Sequence, residues 1–573
     1  MMKRVFLAIA TILMMCSTSS AQWVSPGDGS VFTMSTLVEQ SNGAVTQEGN
    51  NSFTVSQDIT ISANDKLVID NELSEINIGE VLVTIAGSLQ CNNNNIVNVK
   101  PVDGCHYSFR FENAADNILN KISFTGGDGI QILESDIVIS YCEFSGFSTG
   151  YTSSAINIHK CDPLIENCYF HDNEGAAIGS GANINGSPVI INNTFYNNVT
   201  ANTNHPQINL GPGGNDTIFI INNIIEGLNS NMSGGISIAD LTNSGTTKVR
   251  MSGNTIINNR YGYNQQGFNI SSVIDNNIFT NNNLETNPQQ GGSGISIYGM
   301  DNNCKAKIRN NIISGNLWGI TSIYYNEIDL GTENDPGNNI FYGNGNNDTL
   351  YALYNNSFSD INAIGNYWGD NDPDFAALVI IDNDDNSGLG KVNYLPIKEL
   401  YPKFLSFNVM KDNNNGLSQD YYGVIDEETH TVTLNLVNET ISMNNVIVDF
   451  EVSLGVTSDI ESGTAMDFSN TTQTIILNTP HNESQEWTII LNNTLGVEES
   501  VTKFFNIYPN PSNGKFIIEN IDESSTVSII SLEGKVLHVS KNNGMINCDL
   551  PAGLYFIKIN DNKNEKIQKL III

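Results

Sequence analysis

Between Ile118 and Gly369 the chain repeats one short phrase: apolar positions, a polar pair at a bend, then apolar positions again. It is plainest in Ile165-Glu166-Asn167-Cys168-Tyr169-Phe170, Ile190-Ile191-Asn192-Asn193-Thr194-Phe195 and Ile220-Ile221-Asn222-Asn223-Ile224-Ile225. It goes on in Met251-Ser252-Gly253-Asn254-Thr255-Ile256, Ile274-Asp275-Asn276-Asn277-Ile278-Phe279 and Ile308-Arg309-Asn310-Asn311-Ile312-Ile313. One position keeps register through Ile122, Cys142, Cys168, Asn193, Asn223, Asn254, Asn277, Asn311, Asn339 and Asn366. The intervals average about 27 residues, a period that belongs to stacked repeats.

Apolar residues two apart, such as Ile218 and Ile220, Val249 and Met251, or Ala306 and Ile308, describe short strands with one side turned inward. Each run is bounded within a few residues by Asn, Gly or Ser, which leaves no room for helices. A single turn cannot bury its inward Ile and Phe. Stacked on like turns roughly 4.8 Å away it can, with backbones paired between coils. An inward Asn at a bend is costly unless its amide is bonded. Asn above Asn answers that cost, because each amide can donate to and accept from its neighbours. Cys142 and Cys168 fit the head of the column as small buried substitutes, as stacked thiols in preference to a bridge. The pattern predicts a parallel β-helix with Asn254 inside and Asn259 on the surface.

The flanks differ. From Trp23 to about Asn117, β-prone runs without ladder phrases read as first coils and a cap over the open end, where an unpaired edge needs cover. Beyond residue 402, longer alternating strands such as Val446–Val452 and Trp487–Leu491 describe a small β-sandwich. The expected division is signal 1–21, cap and first coils 22–117, ladder β-helix with its cap 118–402, sandwich 403–496 and a second small β-domain 497–573. Lys3 and Arg4, the apolar Val5–Met15 and the small residues Ser19-Ser20-Ala21 form a secretory signal, with lipid anchoring at Cys16 as the lesser alternative. No later stretch has the length of a membrane helix.

Charge narrows the partners. With 61 acidic and 25 basic residues and a formal net charge of -36, the surface lacks the basic footprint that nucleic acid or an anionic membrane requires. Seven Cys at irregular spacing after the signal give no disulfide framework, and no Cys or His pair stands at zinc spacing. Asp370, Asp372 and Asp374, then Asp382 and Asp384, alternate as oxygen ligands do in calcium loops, although Gly is missing where a sharp loop wants it. Calcium is the one cofactor these residues suggest, against the plainer reading of an acidic turn.

A polysaccharide enzyme on such a scaffold would bind its chain along the outward side of one sheet. The outward residues there are Gln131, Asn157, His159, Asn209, Ser237, Ser296 and Tyr298, a neutral row without a paired acid. Five cations stand out instead. Lys248 and Arg250 precede Asn254 by the same six and four positions as Lys305 and Lys307 precede Asn311, and Arg309 follows two further on. Inward Val249, Met251, Ala306 and Ile308 turn all five outward on one sheet, the two groups about 10 Å apart at two coil spacings. They are candidates to dock an anionic glycan by point charges, or simply to offset nearby carboxylates. Binding or display on extracellular polysaccharide is the expected role, with a polysaccharide lyase or hydrolase as the alternative.

Three stretches resemble known families. Asn366-Tyr367-Trp368-Gly369, the Asp-rich turn and Val392-Asn393-Tyr394-Leu395-Pro396 resemble the close of bacterial right-handed parallel β-helix repeat proteins, a family of lyases, hydrolases, adhesins and structural proteins. Ser462–Ser469 followed by Gln485–Ile489 resembles bacterial surface Ig-like domains. Tyr508-Pro509-Asn510-Pro511, Leu532-Glu533-Gly534-Lys535, Leu550-Pro551-Ala552-Gly553-Leu554-Tyr555 and the final Lys566–Ile573 resemble the type A sorting domain of the Bacteroidetes type IX secretion system. That last resemblance implies the type IX machinery as partner and the outer surface or medium as destination.

Overall fold

The computed structural model describes residues 22–70, 73–150, 152–228, 231–287, 290–481, 483–494, 505–519, 525–532, 534–541, 545–560 and 565–573. The signal segment therefore lies outside the described residues. What they form is a parallel β-helix followed by smaller, largely antiparallel sheets.

Three faces wind around the β-helix, and each buries side chains in columns that run from coil to coil. On the first face Ile130, Ile156, Ile178, Ile208, Ile236, Tyr263, Ile295, Ile320 and Leu353 pair in register from coil to coil, all fully buried. The second face aligns Ile139, Ile165, Ile190, Ile220, Met251, Ile274 and Ile308. The third aligns Phe124, Phe144, Phe170 and Phe195, whose rings stack nearly parallel at 5.2, 4.7 and 5.0 Å. Parallel, in-register pairing makes these columns possible, because like shapes recur at the same height on every turn.

The bends explain the doubled Asn. At the bend between the second and third faces, the first residue of each pair takes the left-handed conformation: Asn167, Asn192, Asn222, Asn276, Asn310 and Asn338 all lie at φ 53–57°, and Gly253 and Gly365 serve where Asn is absent. Asn and Gly tolerate that region best. The second residue turns inward. Asn193, Asn223, Asn254, Asn277, Asn311 and Asn339 each donate both backbone N–H and side-chain amide to the Oδ1 of the next rung, ending on Asn366. At the head of the column the N–H of Cys142 meets the Cys168 thiol at 3.4 Å, and the N–H of Cys168 meets Asn193 Oδ1 at 2.9 Å. All cysteines among the described residues are free thiols.

A second ladder runs along the other side of the third face, and it corrects the expectation for Asn259. Asn259 is fully buried, bonded to Asn282 above and reached from Gln207 below. Its column is Asn173, Asn198, Asn259, Asn282, Asn316 and Asn344. One coil puts Leu228 where the rung belongs. There Gln207 reaches in from the neighbouring strand, accepting from Asn198 at 2.8 Å and donating to Asn259 at 3.0 Å, so the column is unbroken.

Both ends of the solenoid hold a short helix. At the N-terminal end Met34–Gln40, capped by Thr33 and Thr36, buries Met34 and Leu37 over the first coils. At the other, Pro373–Val379 starts at the Asp372 cap and buries Ala376 and Val379. Tyr367 and Trp368 face opposite ways. Trp368 closes the solenoid core, stacked on Phe341 at 4.8 Å, while Tyr367 and Ile340 belong to the core of the sandwich that follows. That sandwich packs a four-stranded sheet (Phe404–Val409, Tyr421–Tyr422, Val446–Val452, Thr464–Met466) on a five-stranded one that includes Thr431–Val437 and Ser484–Thr494, around Phe404, Phe407, Phe450 and Trp487. The described residues between 505 and 573 form two further small sheets around Phe516, Val527, Ile529, Ile557 and Leu570. No helix among the described residues is long and apolar enough to cross a membrane.

The ladders carry an energetic prediction. Asn254→Leu removes the oxygen that accepts from both donors of Asn223, and Gln207→Leu strands Asn198 and Asn259. Each unsatisfied buried group costs about 1–3 kcal/mol. Both variants should melt well below the parent, whereas Asn302→Leu at an exposed position should change stability by less than about 0.5 kcal/mol. Equal melting temperatures for the three would remove the ladders as a source of stability.

Candidate functional site

The outward row of the first face begins with Arg110, ion-paired to Glu112, and continues in neutral polar residues. Gln131 stands beside Asn157, Asn209 beside Ser237, and Asn264 beside both Ser237 and Ser296. Asn264 donates to Ser237 Oγ at 3.1 Å. His159 lies one strand position further along, its Nδ1 buried without a hydrogen-bond partner.

Toward the C-terminal coils this row gives way to aromatic rings, of which the sequence reading named only Tyr298. Tyr298 and Tyr324 meet edge to face at 5.1 Å, and Tyr325 lies 6.1 Å from Phe358 on the next coil. Tyr324, Tyr325 and Phe358 are 46%, 50% and 66% exposed. At the other end of the same strands Trp318, Tyr351 and Tyr354 follow one another at 6.2 and 6.5 Å. Tyr324 takes the left-handed conformation at φ 58°, a costly choice for a bulky residue and one that concentrates where a side chain must be presented. Exposed aromatic rings on adjacent coils, as at Tyr325 and Phe358, are the kind of apolar surface that binding sites present. These residues are scattered over 60 positions, and only coil register assembles them; the Tyr324-Tyr325 pair was the one local signal.

The five cations occupy the outward rows of the second face. Lys248 is aligned through Ser271 with Lys305, and Arg250 through Val273 with Lys307, two coils apart in each case. Four of the five carry acidic partners. Arg250 pairs with Asp275, Lys305 with Glu327 at 2.6 Å, and Lys307 with Asp335 at 2.7 Å. Arg309 corrects the expectation of five outward charges, because it is buried. Its guanidinium donates to the Ile308 and Asp329 carbonyls and to the carboxylates of Asp329 and Asp335 at 2.8 and 3.0 Å. Burial pushes the Asp335 carboxyl up, but hydrogen bonds from Lys307 and Arg309 outweigh it and hold the group below the usual carboxylate range. Lys248 alone of the five has no ion pair among the described residues.

The acidic turns are built as turns. Asp370 accepts from the N–H of Asp372, Asp372 caps the following helix through the N–H of Asp374, and Asp382 accepts from the N–H groups of Asp384 and Val392. Asp370 also pairs with His481 at 2.9 Å. Among the described residues no three His, Cys, Asp or Glu side chains converge as metal ligands. Of the five residues in the calcium reading, Asp370, Asp372 and Asp382 accept from backbone amides, and Asp384 pairs with Lys391 at 3.4 Å.

A further charged cluster, also unforeseen, lies outside the third face. His171 bridges Glu143 at 2.9 Å and Asp172 at 2.8 Å, with its ring stacked on Tyr169 at 4.3 Å. Partial burial pulls the imidazole down, but the bonds to Asp172 and Glu143 outweigh it and raise its pKa. The same bonds to His171 hold Glu143 and Asp172 below their ordinary values.

Residues 506–573 match the secretion system C-terminal sorting domain family. This is a type IX secretion sorting domain. The protein is therefore exported through the type IX machinery to the cell surface or the extracellular space. Residues 262–375 of this secreted β-helix protein match DUF1565, a protein family of unknown function, and residues 408–490 match the SGBP N-terminal family. No curated protein matches the chain. Among solved structures it is similar to a mutant of the periplasmic alginate epimerase AlgG (12% identity, 65% of this chain and 84% of that one, TM-score 0.43). It is also similar to a mannuronic acid specific polysaccharide family 6 lyase from human gut microbiota (12% identity, 66% and 88%, TM-score 0.23). Likeness at this level decides nothing about chemistry.

Two predictions follow from the charged clusters. Arg309→Met leaves two carboxylates without their clamp and should cost about 1.5–3 kcal/mol, against at most about 1 kcal/mol for the exposed Lys305→Gln. Similar melting temperatures for the two would remove the clamp. His171 has a raised pKa, so its contribution is full below its ordinary value of 6.5 and fades as pH rises through the raised one. The stability gap between parent and His171→Gln should therefore narrow from about pH 6 to about pH 8. A gap that widens would contradict the bridging geometry.

Proposed function

We propose that this secreted β-helix protein binds extracellular polysaccharide on the outward side of its first face and holds it without cleaving it. The observation that carries this reading is the group of aromatic rings at Tyr298, Tyr324, Tyr325 and Phe358, beside a row of neutral amides and hydroxyls. Sugar rings offer C–H faces to aromatic planes and hydroxyls to amides, and flat rings with a polar tip suit a ligand that is half apolar and half wet. The export domain supports the reading by delivering the protein to the compartment where such polymers lie.

The alternative within the same class is an anionic glycan docked through Lys248, Arg250, Lys305 and Lys307. Salt separates the two, since stacking on rings changes little with ionic strength while point-charge docking weakens steeply. Titration of the mature chain against neutral and acidic polysaccharides should show binding that survives high salt. The triple change Tyr324→Ala, Tyr325→Ala, Phe358→Ala should weaken it at least about tenfold, or about 1.4 kcal/mol. Loss of binding in salt, or on changing the four cations to Gln, would transfer the site to the second face. Appearance of reducing ends or unsaturated product absorbance would make the protein an enzyme and overturn the holding role.

A further inference from the structure

The second face carries apolar side chains on its outward side as well as its inward one. Val138, Leu164, Val189 and Phe219 follow one another in register on four successive coils, each beside a fully buried Ile. Ile191 and Ile221 stand two positions further along the same strands. Phe219 is 38% exposed and the other five are partly so. A sheet with one side to water ordinarily turns polar residues outward. This one does so only later, where the same row reaches Arg250 and Lys307.

Charge is sorted along this face. Two positions before the apolar row, the early coils carry exposed Asp116, Asp136 and Asp162, and the later ones exposed Lys248 and Lys305. The coils of Val189 and Phe219 lie between Asp162 and Lys248. The face is therefore acidic at one end, basic at the other and apolar in the middle. A surface of that kind complements itself when a second copy is turned end for end.

We propose that two copies of this chain meet on their second faces, related by a two-fold axis that runs along the strands and reverses the coil order. Centred between the coils of Val189 and Phe219, that operation lays Val189 against Phe219 of the second copy and Ile191 against its Ile221. Asp162 then comes opposite Lys248, and Asp116 opposite Lys305. Each pair occurs twice, as in any isologous contact, and the result is an apolar centre with a charged rim. Lys305 already pairs with Glu327, so Asp162 against Lys248 is the pair that the contact chiefly adds. The patch is about 34 Å long at 4.8 Å per coil and about 16 Å wide at five residues of strand. Roughly 1,000 Å² is then buried in total, near the lower limit of specific interfaces, which makes the dimer reversible. A net charge of -36 works against self-association, and this face gathers Lys248, Arg250, Lys305 and Lys307 to offset it. The first face lies on another side of the solenoid and stays open in both copies, so the pair presents two glycan sites to one polymer. That consequence rests on the first-face reading; the dimer does not.

The test is sedimentation velocity on the full mature chain from about 1 to about 100 μM, the span in which a contact of this size associates. The mean sedimentation coefficient should rise with concentration from monomer toward dimer. Phe219→Glu puts a charge at the apolar centre and should leave the chain monomeric throughout. Lys248→Glu sets like charges against each other at the rim and should weaken the dimer at least about tenfold, more at low salt than at high. Adding Asp162→Lys to Lys248→Glu restores opposite charges and should recover most of the loss. Phe219 and Lys248 are exposed, so both single variants should melt with the parent. The Tyr324, Tyr325, Phe358 triple variant should dimerise as the parent does, which separates this contact from the first-face site. A parent that stays monomeric at every concentration, or a dimer that survives Phe219→Glu, would overturn the proposal. Monomers that hold an acidic polysaccharide and lose it in Phe219→Glu would give the face to a glycan and overturn it equally.

Discussion

Every sharp bend of this solenoid turns a backbone N–H inward, where no strand can accept it, and the fold depends on how that donor is satisfied. Asn solves the problem twice over. As the first residue of a pair it tolerates the left-handed conformation that makes the bend, and as the second it places an amide oxygen under the N–H of the coil before. The oxygen takes two bonds and the amide nitrogen gives two, so a column of Asn is closed to error. Once both columns are in place the height of every turn is set, and the Ile and Phe columns are held at stacking distance. A bend residue that could not bond would strand donors in a dry core and separate the coils.

What could be read from the chain follows the same logic. The first ladder was legible because its phrase, an Asn preceded by Asn or Gly between apolar runs, recurs on every coil from Asn193 to Asn366. The second was not. Its column is interrupted by Leu228, its repair comes from Gln207, 52 residues before Asn259, and an Asn followed by polar residues looks like a surface bend. The helices at Met34–Gln40 and Pro373–Val379 are too short for a helical period to show. Alternation put Lys248, Arg250, Lys305 and Lys307 correctly on the outward rows beside buried Val249 and Ala306. It could not say that Glu327, Asp329 and Asp335 would arrive on the next coil, nor that Arg309 would be drawn under them.

That pairing bears on recognition. On a chain with a net charge of -36, cations are scarce, and the second face spends four of its five on neighbouring carboxylates. Arg309 and Lys307 share Asp335, which makes the group a clamp across coils more than a charged platform. An acidic polymer approaching this surface meets repulsion with little left over to offset it. A neutral polymer meets none, and rings with amides are the groups that recognise it without charge.

The place of the candidate sites also follows from the ladders. Repetition forbids singular features, because a side chain unlike its neighbours above and below breaks a column. Only where the repeat lapses can the chain afford something specific. Here it lapses over the last coils: Ser293–Arg309 and Trp318–Gly331 each run through two faces, with register shifts between Met300 and Lys305 and between Asp329 and Gly331. The first of these shifts lies at the corner on which Tyr324 and Tyr325 stand. One coil later the second ladder ends at Asn344, because Asn371 at the next position is bonded to Leu400 instead. The aromatic rings thus stand where the strand register shifts, while the amide columns beside them run on to Asn344 and Asn366 and set the height at which the rings are presented.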